Sequence, residues 1–197
     1  DDDTGRARLR GDSAGKTLRH TAVVDSIGDM EKEAGRSVWT EVSGLFGPFP
    51  DSMPAAARGR VADGTLRRID LVTMDHNLRG RLIDPTVADP ATPAAVQAAA
   101  SASRVEPNHV ADEAEAEKEA HYPDTPPGFE LRPVGLTTQM GVGTRGRQYF
   151  AELGLALARR RNATETPRSR QVTAATREVY ARVGVALMRA QADRLAA

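Results

Sequence analysis

The sequence contains no cysteine among its 197 residues. Disulfide bonds are therefore excluded, and so are thiolate metal ligands and thiol nucleophiles. The chain also has no apolar run near the ~18 residues that a membrane-spanning helix needs, and nothing in it resembles a secretory signal peptide. We therefore expect no membrane partner, no secretion by a recognisable signal, and a location in a virion or an intracellular assembly.

Large apolar residues are scarce. Leu, Ile, Val and Phe together number 37, whereas alanine alone supplies 32 residues. Chains with so little bulky apolar surface often cannot offset the entropy lost on ordering by themselves. The composition therefore predicts a small core whose extended segments are held by neighbouring subunits.

The net charge is zero, but the charges are unevenly distributed. Residues 141–197 hold eleven arginines against four acidic residues, a net charge of +7, so the rest of the chain carries −7. Arginine outnumbers lysine 24 to 3, and its guanidinium fork suits phosphate and carboxylate groups. This pattern indicates nucleic acid or an acidic protein surface as partner, with an ordinary solvated helix face as the alternative.

Two amphipathic helices are predicted at the C-terminus. Apolar residues recur at helical spacing from Gln148 to Arg161 and again from Arg168 towards Leu195. Pro167 separates the two runs, which predicts an antiparallel hairpin. Seven arginines of this hairpin are the candidate contacts to nucleic acid or to an acidic partner: Arg145, Arg147, Arg159, Arg160, Arg161, Arg168 and Arg170.

The sequence predicts a mostly α fold, with a small helical core, this C-terminal helical hairpin, and long extended N-terminal and central arms. We divide the chain into an extended arm (1–16), a helical region (17–83), a proline- and alanine-rich acidic linker (84–134) and the basic hairpin (135–197).

Within the helical region, apolar residues four apart predict a core helix from Asp29 towards Gly44. A second helix is predicted over 66–83, with a strand as the alternative because Ile69, Leu71 and Thr73 recur at every second position, as in a strand. Acidic residues and alanines at 112–120 favour a third helix, inside the linker.

Three aromatic residues are candidate subunit contacts. Phe46 and Phe49 lie in a turn-rich loop, where an exposed aromatic ring can dock into a neighbour or fold back on its own chain. Trp39 is predicted to anchor the core helix and is the third candidate.

No pattern predicts a catalytic site, a cofactor or a metal centre. Residues 11–17 and 141–146 resemble phosphate-binding loops, but the first is one residue short and neither follows a hydrophobic strand. His76 has no serine or second histidine near it, and His109 and His121 flank an acidic run that lacks bracing residues. We therefore expect a protein that is not an enzyme.

Three functions remain open from the sequence. The first is a structural, self-assembling subunit of a large repeating assembly, such as a viral coat or capsid protein, that contacts copies of itself and binds RNA or an acidic neighbour through the hairpin. The second is an accessory subunit of a ribosomal or organellar complex. The third is a nucleotide-binding enzyme using one of the two glycine-rich segments.

Overall fold

The structure, a computed structural model, describes residues 3–45, 68–92, 108–162 and 166–196, with side chains from residue 17 onwards. The elements of these ranges are, in order, α1 (Asp3–Glu33), β1 (Ser37–Ser43), β2 (Arg68–Met74), β3 (Gly80–Ala88), α2 (His109–His121), β4 (Phe129–Thr137), α3 (Thr144–Arg161) and α4 (Ser169–Ala196).

A four-stranded mixed sheet forms the centre of the fold, with strand order β1-β2-β3-β4. The pairs β1–β2 and β2–β3 are antiparallel, while β3 and β4 are parallel and are joined through α2. A parallel pair needs such a crossover because both strands begin at the same end of the sheet, so the chain must cross back before the second strand starts. The prediction of a mostly α fold is therefore wrong, since the chain has an α/β fold.

The N-terminal half differs from its prediction in two places. Helix α1 runs from Asp3 to Glu33, so the extended arm predicted for 1–16 is wrong over its described residues. Gly35 ends this helix with φ +83°, a conformation that glycine adopts without strain. Val38 and Val42 follow in β1 rather than in a helix, because Gly35 ends α1 before either residue.

The segment 66–83 contains strands where we predicted a helix. Strand β2 ends at Met74, and the Asp75 carboxylate accepts backbone hydrogen bonds from Asn77 (2.9 Å) and Arg79 (3.1 Å). This turn leads directly into β3. The strand alternative for this segment is therefore correct, and the helix prediction is wrong.

The predicted central linker is partly ordered structure. Residues 84–88 complete β3, and residues 109–121 and 129–137 form α2 and β4. The proline- and alanine-rich part from 93 to 107 lies outside the described residues.

The main core lies between the sheet and the helices α1, α3 and α4. Its buried side chains include Ile27 of α1, Leu71 and Ile83 of the sheet, Phe150 of α3 and Leu187 of α4. The described residues thus enclose a core of their own, which weakens the argument that their order must come from neighbouring subunits.

The helices α3 and α4 pack against each other, as the sequence predicted. The two helices approach closely at Gly154, where an added Cβ would lie 2.7 Å from the Cα and 2.8 Å from the backbone nitrogen of Thr176. The absence of a side chain at this position allows the two helices to touch.

Gly154→Ala is expected to destabilise the fold by about 1–3 kcal/mol, because backbone rather than a flexible side chain must move aside. Urea unfolding followed by circular dichroism measures this change. Gln148→Ala, at an exposed position of the same helix, is the control and should stay within about 0.5 kcal/mol of wild type. An equal effect of both substitutions would contradict the close-packing explanation.

Candidate metal centre

Four polar side chains from four different elements meet beside the sheet. His20 of α1 lies with its Nε2 2.9 Å from Asp70 Oδ2 of β2, and Lys118 Nζ of α2 lies 2.6 Å from Asp84 Oδ1 of β3. The potential ligand atoms of His20, Asp70 and Asp84 all lie within 4.8 Å of one another. We call this group the carboxylate cluster.

The register of the sheet brings the two carboxylates together. Antiparallel pairing of β2 with β3 ends at Leu71 and Ile83, and Asp70 and Asp84 are the next two residues in that register. Pro85 follows directly and has no backbone N–H to continue a ladder. The two aspartates therefore lie side by side where β2 and β3 cease to pair.

Burial and charge act differently on the two aspartates. Asp84 is only 1% exposed, and burial raises its pKa to about 6, although Lys118 acts in the opposite direction. Burial also raises the pKa of Asp70, but the hydrogen bond and charge of His20 outweigh it and the net shift is downward. In turn, the hydrogen bond to Asp70 raises the pKa of His20.

The donor set of the carboxylate cluster suits a divalent cation. Two carboxylates and an imidazole are ligands for Mn²⁺ or Zn²⁺, and the carboxylates with water suit Mg²⁺. Thr86 lies two residues after Asp84 on β3, hence on the same face. Its buried hydroxyl has no hydrogen-bond partner among the described residues. His20 and Lys118 are each about one-third exposed, whereas the side chains of Asp70 and Asp84 are 13% and 1% exposed, so solvent reaches the cluster mainly at His20 and Lys118.

The arginines predicted to bind a partner do not gather at one place. Arg145 forms an ion pair with Glu119 of α2, the residue that follows Lys118 in sequence. Arg147 donates to the carbonyl of Val142 (2.5 Å) and to Thr144 Oγ1 (2.9 Å), which anchors the start of α3.

The remaining predicted arginines lie near the α3–α4 turn. Arg161 is ion-paired with Glu33 and Glu178. Arg159, Arg160, Arg168 and Arg170 are exposed. Arg161 thus ties α1, α3 and α4 together, whereas those four arginines lie at the surface, away from the carboxylate cluster along the chain.

The predicted subunit contacts are only partly described. Trp39 lies on β1 with 48% of its surface exposed rather than in a helix core. Phe46 and Phe49 lie outside the described residues. The role of all three as subunit contacts stays a prediction.

The glycine-rich segment 141–146 is bound by α2 itself. The buried Glu115 carboxylate accepts hydrogen bonds from the backbone N–H groups of Gly135 (3.1 Å), Arg145 (2.9 Å) and Gly146 (2.8 Å). A Cβ at Gly143 would collide with the same carboxylate. The amides that a nucleotide phosphate would need are therefore already occupied. Residues 11–16 belong to α1, not to a loop after a strand.

Sequence reasoning missed every member of the carboxylate cluster. Asp70 lies in the segment predicted as a helix with a strand as alternative, Asp84 begins the predicted linker, and Lys118 lies in the helix predicted inside that linker. The available signal was an aspartate inside each of two apolar strands, since an acidic residue is rare in a buried strand without a function or a partner.

No known protein-family model matches this chain, and no curated protein sequence matches it. Among the described residues, no helix combines the length and apolar character needed to cross a membrane.

Proposed function

We propose that this protein is a divalent-metal-dependent phosphodiester hydrolase whose substrate is nucleic acid. The observation that carries the proposal is the carboxylate cluster: Asp70 and Asp84 side by side, with His20 and Lys118 in contact with them. The expectations that the protein is not an enzyme and has no metal site came from sequence patterns alone, and the proposal replaces them.

Phosphate chemistry fits this cluster better than acyl chemistry. Proteins commonly hold Mg²⁺ through one or two carboxylates, leaving other positions for water and substrate phosphate. A lysine beside those carboxylates supplies a positive charge where negative charge develops on a phosphoryl oxygen. The described part of the chain offers no thiol nucleophile, because the sequence lacks cysteine.

The surroundings favour a polymeric phosphate ester over a small phosphate. His20 and Lys118 are partly exposed, so a phosphate group could contact these two side chains from the surface. Arg145 is ion-paired with Glu119, the residue that follows Lys118 in α2. A cation in that position can bind a neighbouring phosphate of a nucleic-acid backbone.

Each side chain has a definable role in this proposal. Asp70 and Asp84 hold the cation, which would activate a bound water and neutralise charge on the phosphate. Lys118 keeps Asp84 ionised despite its burial and donates to a phosphate oxygen. His20 orients Asp70 through the 2.9 Å hydrogen bond and is a further possible ligand.

The test is cation-dependent cleavage by the purified 197-residue chain. Labelled single- and double-stranded DNA and RNA are each incubated with Mg²⁺, with Mn²⁺ and with excess EDTA. We expect cleavage with a cation and none with EDTA, and restored cleavage when the cation is added back. Calorimetry with Mn²⁺ measures binding in the same preparation.

Asp75→Asn is the matched control, because Asp75 is an acidic residue of the β2–β3 turn outside the carboxylate cluster. It should bind Mn²⁺ and cleave as wild type does. The competing explanation is a structural ion-pair network, in which Lys118 and His20 only neutralise two buried carboxylates. If the protein neither binds a cation nor cleaves any of the four substrates, the result supports that network and refutes the hydrolase.

The hypothesis of a structural subunit in a repeating assembly stays a prediction. One observation favours association between copies, an exposed apolar stripe on α4. Self-association is compatible with a hydrolase, so the two properties need separate tests.

A further inference from the structure

Five arginines around the turn between α3 and α4 carry charge that no described residue neutralises. All five are exposed, and none of them forms an ion pair with a residue that the structure describes. Two carboxylates of this region are already used, since Glu33 and Glu178 both pair with Arg161. We call the five exposed residues the arginine surface: Arg159, Arg160, Arg168, Arg170 and Arg177.

Hydrogen bonds at the turn hold the α3 part and the α4 part of the arginine surface together. Gln171 Nε2 donates to Asn162 Oδ1 (3.0 Å), and Gln171 Oε1 accepts a hydrogen bond from the backbone N–H of Arg168 (2.6 Å). Two of the five arginines precede Asn162 by no more than three residues, and two others lie within three residues of Gln171. The turn therefore concentrates the arginines at one end of the helical hairpin.

A cavity lies within the arginine surface, on the first turns of α4. Its volume is about 310 Å³, which is large enough for a phosphate group, and all of its lining residues are exposed. Arg170 and Arg177 are seven residues apart, so they lie on the same side of the helix and both line the cavity. The other lining residues are Ser169, Thr173 and Ala174.

The chemistry of this surface favours nucleic acid over a protein as its partner. A guanidinium group can bind two phosphate oxygens at once, and a serine hydroxyl such as that of Ser169 also contacts phosphate. Protein interfaces have an apolar and aromatic centre, whereas surfaces that bind nucleic acid are polar and strongly positive. The large apolar side chains that are exposed in the described part of the chain all lie elsewhere: Leu18, Trp39, Leu78, Val185, Met188 and Leu195.

We propose that the arginine surface binds the phosphate backbone of nucleic acid without preference for base sequence. The site is separate from the carboxylate cluster, because it lies on α3 and α4 whereas the cluster lies on α1, β2, β3 and α2. Binding therefore does not require cleavage. The further role of this surface, which is to hold a polymeric substrate, rests on the proposed hydrolase.

The first test measures binding of the full chain to labelled DNA and RNA, single- and double-stranded, by fluorescence anisotropy in excess EDTA. Because EDTA removes divalent cations, binding is measured whether or not the protein is a hydrolase. Affinity for duplex DNA should fall with salt between about 50 and about 200 mM, by about 0.9 logarithmic units per logarithmic unit of salt for each phosphate contact. Duplexes of different sequence should bind with similar affinity, since phosphate contacts do not read the bases.

The decisive variant combines Arg170→Gln with Arg177→Gln. Loss of two phosphate contacts should weaken binding to duplex DNA by about ten-fold or more at about 0.1 M salt and make the salt slope shallower by about two. Both side chains are exposed, so the fold should be unchanged by circular dichroism. The matched control, Arg79→Gln with Arg189→Gln, removes the same charge from exposed positions outside the arginine surface and should bind as wild type does.

Equal weakening by the two double variants would overturn the site, because only the net charge would then matter. Absence of binding to every nucleic acid at low salt would also overturn it, and binding of polyglutamate instead would identify an acidic polypeptide as the partner. The hydrolase is judged separately. Binding without cleavage in Mg²⁺ would leave the arginine surface in place and refute the hydrolase. If cleavage occurs, the Arg170 and Arg177 double variant should raise KM and leave kcat unchanged, whereas an unchanged KM would remove the substrate-holding role.

Discussion

Asp84→Asn is expected to lower cation-dependent cleavage of nucleic acid by about 10³-fold or more. The substitution keeps the size of the side chain but removes the charge that holds the cation. A bound cation stabilises the transition state by several kcal/mol, and about 1.36 kcal/mol of that corresponds to a ten-fold change in rate. Single-turnover cleavage, measured with wild type and variant at saturating Mg²⁺, gives this ratio. Calorimetry should show a matching loss of Mn²⁺ binding.

The same substitution is expected to leave stability unchanged or slightly raised. Because burial raises the folded-state pKa of Asp84 to about 6, the native protein holds this proton more tightly than the unfolded chain does. Ionising Asp84 therefore costs folding free energy, a cost that appears as pH rises from about 4 to about 6. Asparagine cannot ionise and avoids it. A residue kept only for stability would show the opposite result, a less stable Asp84→Asn variant.

Lys118→Met separates cation binding from charge stabilisation. Without the lysine, Mn²⁺ binding should persist at a pH well above the raised pKa of Asp84, where both carboxylates are ionised, whereas the cleavage rate should fall by about 10²-fold through loss of one charged donor. Lys118→Arg is the matched control and should recover part of the rate. Equal losses of cation binding and rate in Lys118→Met would show that Lys118 only neutralises Asp84.

The helical hairpin could be predicted from sequence because its signal is local. From Gln148 to Arg161, the residues Tyr149, Phe150, Leu153 and Leu157 recur at helical spacing. The sheet could not be predicted in this way. In β1, Val38 and Val42 satisfy a helical and a strand spacing equally, and only Gly35, whose positive φ ends α1, separates the two readings.

The carboxylate cluster was out of reach for a different reason. Its members come from positions 20, 70, 84 and 118, and they meet only because β2 and β3 pair in one register and α2 crosses back over the sheet. No spacing along the chain encodes that meeting. The glycines at 141, 143 and 146 resemble a nucleotide loop, but close packing accounts for them, because a Cβ at Gly143 or Gly146 would meet Glu115 and one at Gly141 would meet Thr137.

Glu115→Ala should produce the largest loss of stability among the changes considered. Glu115 is buried, and its carboxylate accepts three backbone N–H groups at the junction of β4 and the start of α3. Alanine would leave these donors without an acceptor and remove a negative charge from a helix N-terminus, which we expect to cost roughly 3–5 kcal/mol. Because a domain of this kind is stable by about 5–15 kcal/mol in total, a large fraction of the molecules should unfold at moderate temperature.

Glu115→Gln tests whether the charge or the hydrogen bonds matter most. Glutamine keeps one carbonyl oxygen as acceptor but turns the other position into a donor that faces backbone N–H groups, so an intermediate loss is expected. Urea unfolding of wild type and both variants gives the order. Glu113→Ala, exposed on the same helix, should stay within about 0.5 kcal/mol of wild type. If Glu115→Ala were as stable as Glu113→Ala, the carboxylate would not be what fixes residues 141–146, and the glycine-rich segment would again be free to bind a phosphate.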